Sequence, residues 1–85
     1  MIHSIYCVRD VKTGFMTPTI DLNDQSAARN FFHAVRNADG ILRSFSQDFD
    51  LYHIGDFDTE SGALMPITPI QFVASGKDAV LEGVE

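Results

Sequence analysis

Between Asn23 and Gly40 the apolar residues Ala28, Phe31, Phe32, Val35 and Ala38 recur at three- and four-residue spacing. That period matches the turn of an α-helix and predicts one amphipathic helix over residues 24–38. Asn23 or Asp24 is expected to cap its start, with Leu22 packing back on the first turn. Gly40 is expected to stop it after Asp39. A stripe of this width must be buried against a second layer. On the other side of the helix, Arg29, His33 and Arg36 line up four and three residues apart.

The rest of the chain reads as strands that can supply that layer. Residues 2–9 mix Ile, Tyr, Cys and Val with polar residues, as strands do. DVKTG at 10–14 is turn chemistry, with Gly14 suited to positive φ. Residues 15–22 continue as a second strand with Met16, Ile20 and Leu22 on one face, and Pro18 pushes it toward an edge. Residues 41–45 read either as a third strand or as a packed connection. Residues 49–57 alternate, with Asp50, Tyr52 and Ile54 opposite Phe49, Leu51 and His53. DTESG at 58–62 is another turn, and ALMPI and PIQFVAS supply one or two closing strands interrupted at Pro66 and Pro69.

Two segments, YCVRDVKTGFMTP and YHIGDFDTESGALMP, share the order Tyr, β-branched, Asp, turn, Gly, Met or Leu, Pro. Any two hairpins with Asp-to-Gly turns look alike, and two copies are too few for a repeat array. The echo is consistent with two similar hairpins flanking the helix. The expected fold is therefore α+β: an antiparallel sheet of two β-hairpins with one amphipathic helix packed on it, in the order β-β-α-β-β. An OB-like partial barrel is the alternative. One globular domain over 1–75 is expected, followed by an acidic tail over 76–85, loosely held or forming a short helix.

At 85 residues the core is modest, and a deep catalytic cleft is not expected. The longest apolar run, Ile5 to Val8, is four residues, too short to span a bilayer, so no membrane association is expected. Cys7 is the single cysteine, which excludes an internal disulfide and a multi-thiolate zinc site and fits an intracellular protein. The net charge of −6 is segregated. Residues 1–43 carry five Lys and Arg against four Asp, a net of +1, whereas residues 44–85 carry one Lys against eight carboxylates, a net of −7.

Catalytic and metal-binding patterns are weak. His3 and Cys7 are four apart, which on a strand separates them by roughly 13 Å, too far to share an ion. Asp56, Asp58 and Glu60 open like a calcium loop, yet Ser61 and Ile67 stand where an EF-hand needs Gly and Glu. No nucleophile elbow or phosphate-binding glycine loop is present, and Gly76-Lys77-Asp78 lacks the rest of a P-loop. No enzyme activity, metal or cofactor is expected. Tyr6, Arg9, Lys12 and Phe15 gather around the first hairpin, and with Arg29, His33 and Arg36 they form a candidate single-strand surface of rings and cations. The competing expectation is that Tyr6 and Phe15 are core and the arginines pair with acids. A second candidate face is acidic: Asp48, Asp50, Asp56, Asp58 and Glu60 could engage a basic partner or simply keep the protein solvated.

The opening MIHSIYCVRDVKTGFMTPT, the segment ARNFFHAVRNADG and the stretch DFDLYHIGDFDTESGAL resemble the small nonstructural protein of gokushoviruses, single-stranded DNA phages of the Microviridae. The resemblance covers about residues 1–75; the acidic tail has no counterpart in it. It implies a DNA-binding or replication-associated protein, acting when the phage turns from duplex replication to single-stranded genome synthesis and packaging. It implies the cytoplasm of the infected bacterium and absence from the virion, and it brings no catalytic residues or binding motif. The expected function is single-stranded DNA binding without catalysis. The alternative is an acidic regulator of phage replication or packaging proteins that does not touch DNA. Pro-marked sheet edges and a small core also make a homodimer an expectation.

Overall fold

The computed structural model describes residues 1–82. Strand β1 (Ile2–Asp10) is followed by two short strands, β2 (Gly14–Phe15) and β3 (Thr19–Asp21). Helix α1 (Asp24–Asn37) leads to the helical turn α2 (Ile41–Ser44) and a 3-10 turn at Ser46–Asp48. The long strands β4 (Phe49–Asp58) and β5 (Leu64–Ser75) then form a hairpin, and α3 (Gly76–Glu82) follows. All pairings are antiparallel: β1 lies between β4 on one side and β2 and β3 on the other, and β5 forms the far edge. The architecture is α+β, an open five-stranded sheet with one main helix, as the sequence predicts. The edge strands β5 and β3 do not pair with each other, so the OB-like alternative is set aside.

The α1 stripe is buried as its period requires. Ala27, Phe31 and Val35 pack with Tyr6, Phe49, Leu51, Ala74 and Ala79, and Ala28 and Phe32 lie at the margin. Asn23 is the cap, its side chain accepting from the Ser26 backbone N–H at 2.8 Å. The helix ends at Asn37 rather than Asp39, because Ala38 turns extended. Gly40, at φ +89°, then opens α2 instead of closing α1.

One expectation needs correction, and three open readings close. The segment 15–22 is not one strand: it breaks around Pro18, which has no N–H to give the ladder. Residues 41–45 are not a strand but a packed connection: Ile41–Ser44 make a helical turn, closed by the Phe45 N–H donating to the Ile41 carbonyl, with Leu42 against the core. ALMPI and PIQFVAS are a single strand, because Pro66 and Pro69 stand on an edge and residues 67–70 bulge out between the pairs His53↔Gln71 and Gly55↔Pro66. Beyond Ser75, the short helix is the outcome: α3 places Ala79 fully buried against α1. Gly76 makes this possible, since a Cβ there would stand 2.3 Å from the Ser46 carbonyl oxygen. The last three residues of the expected acidic tail over 76–85 lie outside the described residues.

The two hairpins echo each other at one point. Gly14 and Gly62, equivalent in the shared motif, both have positive φ. Each supplies the backbone conformation that lets its chain reverse.

Candidate nucleic-acid interface

Strand parity divides the candidate residues between two faces. In β1, Tyr6 and Val8 point into the helix layer with their partners Leu51 and His53. Cys7 and Arg9 therefore point to the other face, which no helix covers. Tyr6 is 1% exposed, its ring stacked 5.1 Å from His53 and its hydroxyl donating to Asp24 at 2.7 Å. Burial, reinforced by the Asp24 carboxylate, pushes its phenol up to about 12. Tyr6 is a core residue and offers no ring to a ligand.

Phe15 behaves differently. Its register partner is Arg9, and Cys7 pairs with Tyr52, which pairs with Phe72. Register thus sets three rings side by side on the uncovered face. Phe15 and Tyr52 centroids are 6.0 Å apart, and Tyr52 and Phe72 are also 6.0 Å apart, both edge-on. Phe15 and Phe72 are 51% and 58% exposed. Beneath them Cys7 is buried, its thiol donating to the Met16 carbonyl at 2.8 Å, and burial pushes that thiol up. The Arg9 guanidinium sits 5.9 Å from the centre of the Phe15 ring. Neither Arg9 nor Lys12, in the adjoining turn, makes an ion pair among the described residues. Asp50, the register partner of Arg9, is the carboxylate on this end of the face.

The helix cations belong elsewhere. Arg29, His33 and Arg36 ride on α1, in the layer covering the opposite face of the sheet. Arg29 and His33 are exposed. Arg36 donates to the Ala79 carbonyl at 3.0 Å and lies over Phe32, tying α1 to α3. The seven residues expected to share one groove are therefore split: Arg9 and Phe15 together, Lys12 in the turn beside a hollow lined by Ile41, Phe45 and Phe49, the helix trio behind the sheet, and Tyr6 inside.

The acidic set is dispersed as well. The Asp48 carbonyl accepts from the Val11 N–H where β4 begins, and Asp50 stands beside Arg9. Asp56 is bonded to His53 at 3.0 Å. Asp58 and Glu60 flank the Met1 ammonium at the far turn, where the Glu60 N–H holds the Asp58 carboxyl below the usual range. The ten residues of β4 separate the two ends by roughly 30 Å.

Sequence reasoning missed Tyr52 and Phe72. Tyr52 was within reach, because the alternation of 49–57 already sets it opposite the core residues Phe49 and Leu51. Phe72 was not, because the prolines hid the continuity of β5. What results is a row of π faces open to water with a cation at one end, an arrangement able to stack planar heterocycles and meet an anion beside them.

Among the described residues no helix is long and apolar enough to cross a membrane. No curated protein and no solved structure matches the chain. The model of the Phage ORF5 protein family matches residues 3–79, from the first strand through α3 to Ala79. Over nine-tenths of its length, then, the chain follows the pattern of that family, and it belongs to the Phage ORF5 proteins.

Proposed function

We propose that this phage protein binds single-stranded DNA, without catalysis, on the uncovered face of its sheet, and that it serves the change from duplex replication to single-stranded genome synthesis and packaging. The observation that carries this reading is the row Phe15–Tyr52–Phe72 with Arg9 at its end. A single strand offers the faces of its bases to such rings, each worth about 1–3 kcal/mol, whereas a duplex keeps its bases stacked inside. A net charge of −6 also weighs against duplex, whose phosphates are denser. The likeness to gokushovirus nonstructural proteins of the Microviridae agrees with the same role, in the host cytoplasm and outside the virion.

Fluorescence anisotropy tests it, with a labelled single strand of about 30 nucleotides compared with its duplex at low and physiological salt. Tighter binding of the single strand is expected. Equal affinity for both, or none for either at low salt, would overturn the reading. The search would then turn to basic replication and packaging proteins as partners.

A further inference from the structure

Past the aromatic row, the uncovered face changes character. Two cross-strand ladders follow along it: Ile20–Ile5–Gly55–Pro66, then His3–Phe57–Leu64. With no side chain at Gly55, and with Ile54 bulged out of the β1–β4 register, the sheet dips there. The dip is a hollow of about 490 Å³ walled by Ile5, Pro18, Ile20, Ile54, Leu64 and Pro66. None of these carries a charge. The lining of the hollow offers no cation to a nucleic acid and no carboxylate to a basic protein.

We propose that this aliphatic half is the contact surface for a second copy of the chain. Two observations favour that occupant. The first is charge: two copies at −6 repel each other across any surface bearing carboxylates, and this half bears none. The second is shape. Leu64 and Ile20, 71% and 54% exposed, rise beside the hollow, so knob and socket lie on one patch. A two-fold axis then seats each copy's knob in the other's socket, the self-complementary geometry of an isologous interface. This contact leaves the aromatic half of each copy open, and it stands whether or not that half binds DNA.

Sedimentation velocity over about 5 to 200 µM, which reads dissociation constants in the micromolar range, tests the proposal on the intact chain. The expected result is a concentration-dependent dimer that Leu64→Asp and Ile20→Asp each convert to monomer across the range. Both side chains are exposed in a single copy, and unchanged circular dichroism and melting will show that these variants fold. Phe72→Ala, on the aromatic half, is expected to stay dimeric. A monomeric wild-type chain at the highest concentration would overturn the proposal and leave the face to another occupant. So would a dimer that both aspartate variants leave intact, or one lost on Phe72→Ala. Binding of a short single strand is read separately, so failure of the dimer and failure of the DNA reading are distinguishable.

Discussion

Whether a ring is structural or available is decided by one step of strand parity. Tyr6 and Phe15 both read as aromatics near cations, and nothing in their immediate neighbours separates them. Tyr6 faces α1 and is sealed by it; Phe15 faces the uncovered side because it pairs with Arg9. Phe72→Ala is expected to weaken single-strand binding by about 1–3 kcal/mol while leaving thermal stability nearly unchanged, since the ring is exposed. Anisotropy and a melting curve on the same sample check both halves of that statement. Tyr6 predicts the reverse pattern and a pH signature. Its phenol is raised from 10.0 to about 12, so the folded state holds the proton more tightly than the unfolded chain does. That stabilising contribution is complete below pH 10 and is lost as pH rises through about 12. Denaturant titrations across this window should show a declining limb that Tyr6→Phe flattens, with single-strand binding at neutral pH retained.

Elements differed in how openly the sequence displayed them. Helix α1 was legible because period, cap and stripe agree: Asn23 holds the Ser26 N–H and Phe31 and Val35 fill the core. Asn23→Ala should cost about 1 kcal/mol by urea denaturation, and Phe31→Ala about 3–5 kcal/mol, because Phe31 is buried against both β1 and β4. Equal costs for the two would contradict this division between cap and core. Strand β5 was hidden because proline is read locally as a break, whereas an edge strand needs no outward N–H at those positions. Ile41–Ser44 was hidden for the opposite reason: one helical turn is too short to show a period. The fate of Gly76 was invisible too, because its role is to let backbone approach backbone across thirty residues of chain. The first hairpin's contribution to the candidate site could be read; the ring row as a whole could not, because its members come from β2, β4 and β5 and meet only through register.

At the scale of the whole molecule, charge and surface chemistry are partitioned along one sheet face. Rings with Arg9 occupy one end, the aliphatic hollow the other, and Asp58 and Glu60 the turn beyond. With one cation, Arg9, at the rings, the slope of log affinity against log salt for a single strand should be shallow, about −0.7. Arg9→Ala should reduce its magnitude by about 0.7. A steep slope of about −4 or beyond would mean that the helix cations or other groups carry the binding, and would sink the stacking-led account.

Strand β1 also sets how the chain must come together. It lies inside the sheet, and its long ladder joins Ile2–Asp10 to Phe49–Asp58, with α1 and both turns intervening. Neither hairpin can complete the core alone, since Tyr6 belongs to the first and Leu51 to the second. Pairing β1 with β4 therefore closes a large loop before much reward is gained, a topology that slows folding. On a ribosome, β1 and α1 emerge early and wait with their apolar sides unpaired, and the native state forms only once β4 has cleared the exit tunnel.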